Sequence, residues 1–268
     1  MSSTFLHGGN VHANGIRQHY LRYGGRGAPL IVVPGITSPA ITWGFVAERL
    51  GQSRDTYVLD VRGRGLSSSG PDLDYSLDTY AADVAGFAAA LELESFALLG
   101  HSMGARIGVR TARRHGAEVA KLVLVDPPVS GPGRRPYPAE LSWYTDSIRL
   151  AAHGVDAAGM RKFMSPSWTD EQIALRAEWL HTCDETAIVT SFNNFQSEDI
   201  HGDLPHLSVP TLLVVAGGAK VVGPEDVAEI RGLVPSIEVA TVAGAGHMIP
   251  WDDFDGFFAA ITPFLAGC

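Results

Sequence analysis

The chain has 268 residues, 46% of them hydrophobic, and its 20 basic and 29 acidic side chains give a formal net charge of −9. This length suits one globular α/β domain carrying an insertion, large enough to bury a core without disulfides. The acidic balance and the lack of any Lys/Arg-rich run exclude a nucleic-acid partner, while leaving a small anionic molecule open to a local arginine.

The dipeptide Asn14-Gly15 separates two strand-like segments, 10–13 and 16–23, and predicts a tight antiparallel hairpin. Apolar runs then predict strands over 30–33, 56–60, 96–99, 122–125, 212–216 and 237–242. Helical patterns fall between them at 43–50, 77–93, 103–115, 225–233 and 254–265. Alternating β and α units imply a mostly parallel sheet with helices on both faces and a site at the carboxyl ends of the strands. The interval between the fourth and fifth of these strands is too long for an ordinary crossover. It carries amphipathic stretches at 140–152, 154–164, 169–181 and 185–194, so residues 131–206 read as a helical lid. Residues 1–130 and 207–268 then form the core domain.

The run at 96–99 leads into Gly100, His101, Ser102, Met103 and Gly104, and a helical pattern follows. A sharp strand-to-helix turn holds its central residue in a strained conformation and needs small neighbours, which makes Ser102 a candidate nucleophile on an elbow. A serine hydroxyl needs a base, and His247, after the last strand, stands in the order Ser, acid, His. The loop after residue 216 has no carboxylate in 217–222. Asp126, held by Pro127 and Pro128 at another strand end, is the first candidate for the acid, with Asp226 and Glu225 as alternatives beside a helix start. The backbone N–H groups of Met103 and Ile36 are the candidate oxyanion donors, with Thr37 or Ser38 able to add a hydroxyl. The glycine-rich segment 60–67 reads as a structural turn held by Asp60 and Arg62, and His101 as a packed side chain.

Two cysteines, Cys183 and Cys268, provide neither a disulfide framework nor metal-ligand spacing, and the histidines form no metal motif. No metal or organic cofactor is expected. Residues 1–10 do not read as a signal peptide and no run reaches membrane-spanning length, so a cytoplasmic protein without a membrane partner is expected.

Taken together, the elbow, the base and the alternation resemble the α/β-hydrolase fold family over essentially the whole chain. The resemblance implies a mostly parallel eight-stranded sheet flanked by helices, with a lid over the site. Segments 36–50, 57–75, 122–135, 176–183 and 244–253 resemble more closely a deformylase branch of that family. This implies hydrolysis of an N-formyl amide, with the triad acid after the sixth strand, at Asp126. For the carboxylate of such a substrate the lid offers Arg134, Arg135, Arg149, Arg176 and His181 beside Trp143, Tyr144 and Trp179. Thr37, Ser38, Tyr144, Arg176, Trp179 and His181 are therefore the candidate substrate-binding residues. The same elbow and base would also serve a carboxylesterase or a carbon–carbon bond hydrolase, and the fold also occurs as a ligand receptor. Oligomeric state is not legible in the sequence.

Overall fold

Asn14 and Gly15 both take positive φ, 47° and 75°, and reverse the chain between β1 (Phe5–Ala13) and β2 (Ile16–Tyr23). An Asn-Gly pair reaches that conformation at little steric cost, and the turn matches the twist of the strands it joins. The computed structural model describes residues 3–266; Cys268 lies outside them. The remaining strands are β3 (Pro29–Val33), β4 (Asp55–Leu59), β5 (Phe96–His101), β6 (Val119–Val125), β7 (Thr211–Ala216) and β8 (Glu238–Val242).

They form one eight-stranded sheet in the order β1-β2-β4-β3-β5-β6-β7-β8, with β1 and β2 antiparallel to their neighbours and the rest parallel. β4, β5 and β7 are buried at every position, as expected of parallel strands covered on both faces. The covering helices of the core are α1 (Gly44–Leu50), α2 (Leu77–Ala90), α3 (Met103–Arg114), α8 (Pro224–Leu233), α9 (Ile249–Asp252) and α10 (Phe254–Leu265). Between β6 and β7 the chain makes α4 (Leu141–Ala152), α5 (Ala157–Met160), α6 (Asp170–Trp179) and α7 (Glu185–Ser197). Local caps set their starts: Thr169 and Gln172 form a reciprocal capping box on α6, and Asp184 accepts the Ala187 N–H on α7.

The expected helix over 154–164 is broken, since α5 runs into a separate 3-10 turn at Arg161–Phe163. The helix expected over 77–93 ends at Ala90, because Glu92 turns to a φ of 54°. Among the described residues no helix is long and apolar enough to cross a membrane.

β3 lies between β4 and β5, so the chain leaves β3 in one direction and returns on its other side at β5. At such a reversal of strand order the loops diverge and leave a crevice at the carboxyl ends. Val33 pairs with Gly100, which sets the loop after β3 directly beside the turn after β5. The glycine-rich turn after β4 locks this corner. Asp60 accepts the Ala40 N–H at 2.6 Å and the Leu66 N–H at 3.0 Å, and meets His19 Nδ1 at 2.7 Å. Arg62 is paired with Asp83 at 2.7 Å.

Candidate active site

Ser102 sits at φ 54°, ψ −119° between β5 and α3, in a region that side chains rarely enter. Its two neighbouring glycines explain how the turn closes. A Cβ at Gly100 would lie 2.1 Å from the Gly104 carbonyl oxygen, and one at Gly104 would lie 1.9 Å from the Val33 carbonyl oxygen. The Ser102 N–H donates to the Val125 carbonyl at 2.8 Å, tying the turn to β6.

Ser102 Oγ is 2.9 Å from His247 Nε2, and His247 Nδ1 is 2.6 Å from Asp126 Oδ2. Asp126 is fully buried at the end of β6, at φ 45°, where its own N–H donates to the Val214 carbonyl and its Oδ1 accepts the Ala216 N–H at 3.2 Å. A carboxylate facing Nδ1 fixes that nitrogen as the protonated one and leaves Nε2 to accept the serine proton. The alternatives stand elsewhere. Asp226 accepts the Gly223 N–H at 2.7 Å and pairs with Arg135, and Glu225 is exposed. The loop after β7 instead stitches down the segment that carries His247, the Gly217 N–H donating to Val242 and the Gly218 N–H to Ala245. A Cβ at Gly217 would sit 2.6 Å from the Ala243 carbonyl oxygen.

His101 packs beneath this pair, its ring 5.0 Å from that of His247 and 5.5 Å from that of Trp43. Its Nε2 lies 2.9 Å from the His247 carbonyl, which can only accept, so Nε2 carries the proton. Burial, reinforced by the neighbouring His247, pulls its pKa down to about 3.

Peptide geometry sets the direction of the two candidate oxyanion donors. The Gly35 carbonyl accepts the Ser38 N–H at 3.2 Å, and the Ile36 N–H, in the same planar unit, points the opposite way. The Met103 N–H is the first of α3, without an intrahelical acceptor and at the positive end of the helix dipole. Gly35 and Ile36 line the same cavity as Ser102, and a Cβ at Gly35 would lie 3.4 Å from Ser102 Cβ.

That cavity has a volume of about 790 Å³ and opens between the strand ends and the helical insert. Arg176 enters it from α6, buried, and donates to Thr37 Oγ1 at 2.6 Å and Ser38 Oγ at 3.4 Å, while its Nε meets no acceptor among the described residues. The Thr37 and Ser38 hydroxyls thus line the cavity as acceptors from Arg176, and each keeps its own proton to donate. Burial lowers the pKa of this guanidinium, which no carboxylate among the described residues pairs. Arg134 is paired with Glu229, Arg135 with Asp226 and Arg149 with Glu185 on the surface.

Tyr144 lines the cavity as well, but Trp179 and His181 lie outside it. Arg176 shares the inward face of α6 with Ile173 and Ala177, and the helical screw carries Trp179 to the flank. His181, in the 3-10 turn that follows, is exposed beside α5 on the outer surface. Tyr137, Met164 and Trp168 line the cavity although the sequence alone does not single them out. Tyr137 stands between prolines in a segment with no periodicity, so its aromatic character is its one legible signal.

The family model for the alpha/beta hydrolase family matches residues 30–261. The chain belongs to that family. This alpha/beta hydrolase is 66% identical over 263 residues to N-formylmaleamate deformylase of Pseudomonas putida, a match covering 98% of each chain. A crystal structure of N-formylmaleamic acid deformylase from Pseudomonas putida S16 superposes with a TM-score of 0.92 at 58% identity, covering 95% of this chain and all of that one. The 2-(acetamidomethylene)succinate hydrolase of Mesorhizobium japonicum is 26% identical over 259 residues, covering 91% of this hydrolase and 90% of that protein.

Proposed function

We propose that this hydrolase cleaves the formyl C–N bond of N-formylmaleamate, giving maleamate and formate, with Ser102 as nucleophile, His247 as general base and Asp126 as its orienting acid. The observation that carries the reading is the 66% identity to a deformylase of that substrate across 98% of both chains. The site is consistent with it: a serine 2.9 Å from an imidazole nitrogen, and a buried arginine in the same cavity that no carboxylate among the described residues pairs.

Ser102 Oγ bonds to the formyl carbon while His247 Nε2 takes its proton, and the carbonyl electron pair moves onto the oxygen, held by the Ile36 and Met103 N–H groups. The C–N bond then breaks, and the leaving nitrogen receives the proton from His247. Its electron pair is delocalised into the second carbonyl, which makes it a better leaving group than an ordinary amine. Water, deprotonated by His247, attacks the formyl ester, and Ser102 Oγ leaves with that proton as formate departs. Arg176 binds the distal carboxylate of the substrate through a charge-assisted hydrogen bond. The cytoplasm is the proposed compartment; the free, buried Cys183 thiol suits a reducing environment.

The test is the product pair formed from N-formylmaleamate by the purified protein, read by proton NMR beside a p-nitrophenyl acetate control. Formate and maleamate support the proposal. Maleate with formamide places the attack on the other carbonyl, and ester turnover without any amide turnover overturns the substrate assignment.

A further inference from the structure

We infer that Tyr137, presented by the insert and backed by Tyr144, is a further catalytic residue: its phenol donates a hydrogen bond to the carbonyl oxygen of the leaving half of the substrate. The inference rests on the deformylase reading above and concerns the half of the reaction that the oxyanion donors do not serve.

Tyr137 is 8% exposed and lines the cavity. Its hydroxyl is 3.4 Å from His247 Nε2 and 3.3 Å from the Tyr144 hydroxyl, and its ring is packed against Phe192 and Phe195. In the resting site the Nε2 lone pair is already engaged by Ser102 Oγ at 2.9 Å, so the longer Tyr137 contact does not hold the phenol proton, whose other polar neighbours are Ser102 and Tyr144. Tyr144 can supply its own proton to the Tyr137 oxygen while Tyr137 donates onward. Burial raises the Tyr137 phenol well above its ordinary value, which keeps it a donor.

The position follows from the proton's route. The leaving nitrogen must come within about 3 Å of His247 Nε2 to receive its proton. The carbonyl bonded to that nitrogen then lies within reach of a hydroxyl 3.4 Å from the same Nε2. As the C–N bond breaks, the electron pair spreads from nitrogen onto this carbonyl oxygen. A donor aimed there is stronger in the transition state than in the ground state, which is the condition for raising kcat rather than lowering KM. An amine leaving group has no such oxygen, so Tyr137 makes the site selective for N-acyl amides over simple formamides.

The experiment compares wild type and Tyr137→Phe on N-formylmaleamate and on p-nitrophenyl acetate, whose phenolate leaving group carries no carbonyl. The expected result is a fall in kcat of about 100-fold on the amide, in the range seen when one transition-state donor is removed. KM and the ester kcat/KM should stay within about threefold. An unchanged amide kcat, a change in KM alone, or equal losses on both substrates at unchanged Tm would overturn the inference. If Tyr137→Phe lowers Tm, Tyr144→Phe decides: a smaller loss confined to the amide supports the inference, and a loss on both substrates or neither overturns it. A wild type active on the ester but inactive on the amide would instead be a failure of the deformylase reading itself.

Discussion

Asp126 occupies left-handed backbone at φ 45° because its hydrogen bonds hold it there: its N–H is committed to Val214 and its side chain to Ala216 and His247. Removing its charge while keeping its shape should therefore leave the fold intact and misassign the imidazole tautomer. Asp126→Asn is expected to lower kcat by roughly 10,000-fold. Asp226→Asn should change kcat by less than about twofold and cost no more than about 1 kcal/mol of stability, through the lost ion pair with Arg135, both measured on the same preparations. Beneath the pair, His101 makes a separate prediction. Its folded-state pKa of about 3 lies below the ordinary histidine value of the unfolded chain. Between those values the unfolded state holds a proton that the folded state lacks, so this stability is complete above the unfolded value and is lost as pH falls. Urea titrations between about pH 6 and about pH 4 should show a steeper loss for wild type than for His101→Gln, by up to about 1.4 kcal/mol per pH unit. Parallel slopes would contradict the assignment of a buried neutral imidazole.

At the scale of elements, the elbow is held by close approach of β3, β5 and α3, and Gly104 is where they meet. Gly104→Ala is expected to destabilise the protein by about 3 kcal/mol, since the added methyl meets main chain that cannot move aside. Gly116→Ala, whose Cβ would meet nothing within 4 Å among the described residues, should change stability by no more than about 0.5 kcal/mol. The insert reaches the cavity through Arg176 on α6. Arg176→Gln should raise KM for N-formylmaleamate by about 10- to 100-fold, the worth of a charge-assisted hydrogen bond, with a much smaller change in kcat. A loss confined to kcat would remove Arg176 from the carboxylate site. Here the sequence is a partial guide. Continuous apolar runs such as Leu212 to Val215 declare parallel strands, and glycines around Ser102 declare a turn. The faces of the insert are another matter, because the sequence points to Trp179 and not to Trp168, whereas packing puts Trp179 outside the cavity and Trp168 in it.

For the molecule as a whole, a mostly parallel sheet with Ser102 and His247 at its carboxyl strand ends is implicit in the alternation of elements, whereas the strand order that reverses at β3 is not. What the alternation does not encode is the distance across the cavity from the insert to the strand ends. Tyr137 shows this: nothing in its prolyl surroundings indicates a hydroxyl 3.4 Å from His247 Nε2. Burial also accounts for Cys183, whose thiol is pushed up to about 12 and is closed off from solvent. In a Cys268→Ser background the native protein should resist a thiol reagent at about pH 8 and react fully once unfolded, because the thiolate is the reactive form.

If Ser102 performs the deformylation, its hydroxyl is the one group the reaction cannot lose. The most direct test is the rate of formate release from N-formylmaleamate by wild type and by Ser102→Ala, measured at equal folded protein. A loss of at least about 10,000-fold is predicted for the variant. Formate release by Ser102→Ala within about tenfold of wild type would contradict a serine nucleophile.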